Sequence, residues 1–91
     1  MELNGYRAEI DTVDRELIRL LERRFDIAAG IAQYKLAHDL PVTDAPREAD
    51  KLRAVRAMCR PETADHIAGI FEAVMAGSRA YQMERMEGTN G

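Results

Sequence analysis

Residues 4–38 read NGYRAEIDTVDRELIRLLERRFDIAAGIAQYKLAH, and the pattern of this stretch decides the fold. Tyr6, Val13, Leu20, Ile27 and Tyr34 recur every seventh residue, and Ile10, Leu17 and Ile31 form a second, interleaved series. Two such series place an apolar seam along one side of a helix, as in a coiled coil. Asn4 is the expected N-cap, and Gly30 is the one interior residue that could interrupt the helix, at about 1 kcal/mol relative to Ala. Unbroken, the helix has about 35 residues and spans about 52 Å. A compact chain of this size has a radius of gyration near ~12 Å, so the helix outruns the globule it belongs to. It must pack along much of its length against something else, and a second copy of itself is the simplest partner. The expectation is an all-α, three-helix subunit with a long first helix, in an intertwined homodimer.

Outward from this stretch, Pro41, Pro46 and Pro61 divide the remainder into a second helical segment, about Ala45 to Met58, and a third, about Pro61 to Met86. Both are rich in Ala, Leu, Arg, Glu and Met, and no segment alternates at period two. Asp44 or Thr43 can cap the second helix, with Pro46 tolerated where an N–H would be unpaired anyway. Its inward stripe reads Glu48, Leu52, Val55, Cys59; that of the third helix reads Ile67, Phe71, Val74, Ser78, Gln82. The tail Glu87-Gly88-Thr89-Asn90-Gly91 is expected to fray.

Composition narrows the function. The 91 residues allow a single domain, with five aromatics and no Trp. Mean hydropathy is −0.39, and a chain this short buries only about 60–65% of its unfolded surface, which again favours oligomerisation. A net charge of −3 argues against broad nucleic-acid or anionic-membrane binding. Cys59 alone forms no intrachain disulfide, and one cysteine with two histidines fits no structural zinc spacing, so no metal is expected and a reducing, cytoplasmic setting follows. No leader or membrane-spanning run is read at the start or elsewhere. Arg53, Arg56 and Arg60 recur at helical spacing and read as a solvated outer strip.

The informative residues are the polar ones that interrupt apolar stripes. Arg24 stands between Leu17 and Ile31, Glu48 begins the second stripe, and Ser78 and Gln82 end the third. Lys35 follows Arg24 by eleven residues, which returns it to within about 20° of the same face, about 16 Å along the axis. Buried charges without partners cost several kcal/mol, so these groups satisfy one another, meet water in a cavity, or meet a ligand. Alone, Lys35 reads as a solvated helix lysine, Asp44 as a cap and Arg47 as a first-turn charge; their convergence sets them apart. Arg7 lies about 25 Å before Arg24 on the same rod, so it joins such a site only from a second chain. Arg7, Arg24, Lys35 and Arg47 outnumber Asp44 and Glu48, which suits a small dianion, and arginine forks suit carboxylates. Neither Ser78 nor Cys59 has a His in register, which leaves hydrolase chemistry poorly supported.

The ordered set Arg7-x-x-Ile10-Asp11-x-x-Asp14, Leu20-Leu21-x-x-Arg24, Lys35, Pro41-Val42-x-Asp44-x-x-Arg47-Glu48 and Ser78-x-x-x-Gln82 resembles the all-helical (AroQ-type) chorismate mutases over residues 4–86. The resemblance implies one helical domain, an intertwined homodimer, no cofactor, and conversion of chorismate to prephenate in aromatic amino-acid (Phe/Tyr) biosynthesis. It further implies that Arg24, and Arg7 supplied in trans, bind the substrate carboxylates, and that Lys35 and Gln82 flank the ether oxygen. Glu48, with Asp44 nearby, would meet the ring hydroxyl; Arg47 would brace the site and Ser78 line it. Two other readings carry different outcomes: an isochorismate pyruvate lyase of similar fold, and a silent helical dimerisation or regulatory module. The Asp44-x-x-Arg47-Glu48 stretch favours the mutase over the first, and retention of the whole polar set speaks against the second.

Overall fold

A computed structural model describes residues 2–90, with side chains for residues 2–88. Three helices account for nearly all of them: α1, Leu3–Ala37; α2, Ala45–Met58; α3, Pro61–Asn90. α1 crosses Gly30 without a break, since one glycine among good helix formers costs less than the hydrogen bonds on either side return. Its start differs from expectation. The helix begins at Leu3, and the carbonyl of Glu2, not a side chain of Asn4, accepts from the Gly5 and Tyr6 amides. α3 also runs past the expected end at Met86, through Gly88 to Asn90, with no proline after Pro61 to stop it; Gly91 lies outside the described residues.

The ends of α1 and α2 have clear local causes. At the C-terminus of α1, Leu40 N–H bonds the Lys35 carbonyl (2.9 Å) and Asp39 N–H reaches that of Leu36 (3.5 Å). This is the paired closure of a Schellman motif, and it puts Asp39 at φ 55°, a left-handed conformation usually left to glycine. Asp44 caps α2 as expected, its Oδ1 accepting from Arg47 N–H at 3.0 Å.

α3 is the central element. α1 packs along it in the same direction, with Phe25 beside Gly77 and edge-on to Tyr81 at 5.2 Å, and Lys35 at Gln82. α2 runs the opposite way, pairing Arg56 with Asp65 near the turn and Glu48 with Arg79 further along. α1 and α2 each contact α3 and, among the described residues, not each other. The result is a slab of 53 × 27 × 14 Å with a radius of gyration of 16.3 Å, well above that of a compact chain of this length.

The packing separates two stripes on α1. The residues turned toward α3 are Leu21, Phe25, Ala28, Ala32 and Leu36, of which Ala28 and Ala32 are fully buried. The heptad seam is a different stripe, on average about 100° around the helix at 100° per residue. Tyr6, Ile10, Val13, Leu17, Leu20, Ile27, Ile31 and Tyr34 are all exposed, by 43 to 61%. From Tyr6 to Leu20 every residue is exposed. The seam is therefore not the contact that holds α1 within its own chain. Arg53, Arg56 and Arg60 are exposed, as expected of an outer strip, and pair with Asp50, Asp65 and Glu62. No helix among the described residues is long and apolar enough to cross a membrane.

Candidate active site

Because α1 and α2 flank α3 without touching, a groove opens between them. α3 forms its floor with Met75, Ser78, Arg79 and Gln82. Arg24, Ile27, Ala28, Ile31 and Lys35 of α1 form one wall; Val42, Asp44, Arg47, Glu48 and Lys51 form the other. Its volume is about 490 Å³, within the range of small-molecule pockets. Seven of the eight residues singled out from sequence line this groove: Arg24, Lys35, Asp44, Arg47, Glu48, Ser78 and Gln82. Arg7 does not; it is exposed on the unpacked first half of α1.

Arg24 and Lys35 reach the groove from the border between the two stripes of α1. At 100° per residue they lie within about 20° of each other, between the exposed seam and the buried stripe. Arg24 is thus less an intruder in the seam than the residue at its edge. It is half-buried, and among the described residues it has no hydrogen-bond or ion-pair partner. It also borders a second, apolar cavity of about 250 Å³ lined by Leu21, Phe25, Ile70, Ala73, Val74 and Gly77.

Lys35 and Gln82 meet directly. Lys35 Nζ donates to Gln82 Oε1 at 3.2 Å and to the Val42 carbonyl at 2.7 Å; Gln82 Nε2 donates to Ser78 Oγ at 3.1 Å. Gln82 is the one buried polar side chain among the described residues, 6% exposed. The donor count is informative. An ammonium has three N–H bonds and two are committed; an amide NH₂ has two and one is committed. Each side chain retains one donor at the same end of the groove, held by partners from three segments of the chain.

Two charged residues of the groove escaped the sequence reading. Arg79, adjacent to Ser78 and three residues before Gln82, donates from Nη1 to Glu48 Oε1. Lys51 lies one turn beyond Glu48 and, like the side chain of Arg47, has no hydrogen-bond or ion-pair partner among the described residues. Helical spacing carried a signal for both, i+3 from Glu48 for Lys51 and i−3 from Gln82 for Arg79. The groove then carries five cations against the carboxylates of Asp44 and Glu48, a surplus larger than sequence alone suggests. Such a site attracts a compact polyanion.

A family model described as "Chorismate mutase type II" matches residues 6–83, which span all three helices and the groove. The chain belongs to the chorismate mutase type II family. Among curated proteins, the chorismate mutase of Methanocaldococcus jannaschii is 27% identical over 90 residues, covering 97% of this chain and 91% of that one. The T-protein of Haemophilus influenzae is 36% identical over 73 residues, 80% of this chain but 19% of its own length. The 4-amino-4-deoxychorismate mutase of Streptomyces venezuelae is 39% identical over 46 residues, 50% of this chain and 45% of that one. The chain thus spans less than half the length of the latter two. No solved structure matches significantly. Family membership agrees with the all-helical architecture and makes the chain an isomerase-type enzyme, a mutase.

Proposed function

We propose that the chain converts chorismate to prephenate, on the route to phenylalanine and tyrosine in the cytoplasm. The observation that carries this reading is the Lys35–Gln82 pair, with one spare donor on each member, at one end of a cationic groove. The rearrangement breaks a C–O bond and forms a C–C bond within one molecule; no proton moves and no covalent intermediate forms. A general base is not needed. The useful contributions are capture of the folded conformer and fixed donors at the ether oxygen, which gains negative charge as its bond breaks. Lys35 and Gln82 are assigned that role. Arg24 takes a substrate carboxylate, Ser78 lines the site beside it, Arg47 braces the α2 wall, and Glu48, with Asp44 nearby, accepts from the ring hydroxyl.

The second carboxylate is assigned to Arg7 of a second copy in an intertwined homodimer. The exposed seam supports this. The first half of α1 is an amphipathic helix with nothing of its own chain against it, and such a helix is marginal in water unless its apolar face is covered. Within one chain Arg7 stands about 25 Å along the rod from Arg24 and cannot serve the same site.

The test adds purified protein to chorismate and, separately, to isochorismate, and identifies the products. Prephenate from chorismate is the expected result. Pyruvate and salicylate from isochorismate, without prephenate from chorismate, would replace the mutase with a lyase. Inertness toward both would leave a silent helical module.

A further inference from the structure

Glu48 does not stand alone in the groove. Arg79 of α3 ion-pairs with it across to α2, and the pair is only partly open to solvent, with side chains 25% (Glu48) and 32% (Arg79) exposed. Lys51, without a partner of its own among the described residues, lines the same wall one turn on. With Asp44 and Arg47 of the same wall included, the region around the Glu48 carboxylate carries three cations, Arg47, Lys51 and Arg79, against the two carboxylates of Asp44 and Glu48. In a half-buried site charges are screened less than at an open surface, so the local surplus is felt by whatever group binds there.

We propose that Arg79 is a positioning residue that makes the groove select a substrate bearing a neutral hydroxyl, rather than an ammonium, on the ring carbon that meets Glu48. The inference rests on the mutase reading above. Arg79 occupies Oε1 of the carboxylate and leaves Oε2 to accept. A hydroxyl asks only for that acceptor. An aliphatic amine, protonated near neutral pH, brings a positive charge to a carboxylate whose own charge is already matched, on a wall where Arg47 and Lys51 outnumber the remaining carboxylate, Asp44. An unpaired carboxylate would favour the cation; a paired one removes the attraction and leaves the repulsion. Discrimination of this kind comes from the element that disfavours the wrong partner as much as from contacts to the right one.

The experiment measures kcat and KM of the full chain and of Arg79→Ala, Arg79→Gln and Arg79→Lys with chorismate and with 4-amino-4-deoxychorismate. Thermal unfolding of each protein identifies any variant that fails to fold. The wild type is expected to favour chorismate in kcat/KM. Arg79→Ala and Arg79→Gln should reduce that preference by about tenfold or more, chiefly by lowering KM for the amino compound, the scale typical of a changed polar contact. Arg79→Lys, which keeps the charge, should retain most of it. A folded Arg79→Gln with wild-type selectivity, in an enzyme that converts chorismate, overturns this inference and leaves the mutase reading standing. Loss of selectivity in Arg79→Lys equal to that in Arg79→Ala overturns the charge argument. A wild type inert toward both compounds overturns the mutase reading and this inference together.

Discussion

The two halves of α1 carry the same heptad seam and are built differently around it. In residues 21–37 a second stripe, Leu21, Phe25, Ala28, Ala32 and Leu36, is turned toward α3 while the seam stays exposed. In residues 3–20 the corresponding side of the helix is occupied by Arg7, Asp11, Asp14 and Ile18, mostly polar, and the seam is the sole apolar face. One half thus has an apolar face for its own chain and another left over; the other half has only the leftover. A heptad repeat announces that something will cover a helix, but a second stripe is needed to learn that the cover is intramolecular.

Charging the seam of the first half tests this contrast most severely. Ile10→Asp with Val13→Asp leaves every intrachain contact to α3 in place, yet should abolish self-association and take mutase activity below detection; light scattering after size exclusion, alongside the rate, checks both. An unchanged oligomer with normal turnover would show that this seam has no role. In the second half, Lys35→Ala and Gln82→Ala should each lower kcat by about 10²- to 10³-fold, the scale for a lost oxyanion-type donor, without altering the oligomer. Normal turnover by either folded variant would contradict those roles.

The buried stripe makes smaller demands. Ala32→Leu places a large side chain where 1% of the residue is exposed, and should destabilise by about 1–3 kcal/mol in denaturant titration through overpacking. At the end of the same half, Asp39→Gly should stabilise by about 1 kcal/mol, because glycine accepts the left-handed backbone that Asp39 adopts at φ 55°. A null result there would mean that the aspartate side chain offsets its own backbone cost.

What was legible in the sequence follows the same division. Periodicity and prolines placed the three helices, and Pro46 with a cap at Thr43 or Asp44 placed the start of α2 to within a residue, Asp44 being the cap the structure uses, because those signals are local. The stripe residues Glu48, Ser78 and Gln82 stood out as polar exceptions to apolar spacing, and they do line the groove. Arg79 and Lys51 were passed over for the opposite reason: helical spacing tied each to a site residue, but each sits beside a stripe, where a charge is the ordinary sight on a solvated helix and the spacing does not single it out. Only the approach of α2 to α3 makes Arg79 the partner of Glu48. Asp39 was hidden because the usual flag for a left-handed helix end is glycine.

The anchoring of Lys35 on the Val42 carbonyl has a consequence for how this protein tolerates change. The ammonium is tethered to a peptide oxygen, a group every amino acid supplies, so the identity of the side chain at 42 leaves the tether itself intact. The number of residues between the Schellman closure and the Asp44 cap is another matter. Adding or deleting one residue there would slide that oxygen along the chain and swing the ammonium with it, so the crossover from α1 to α2 is free in spelling but fixed in length.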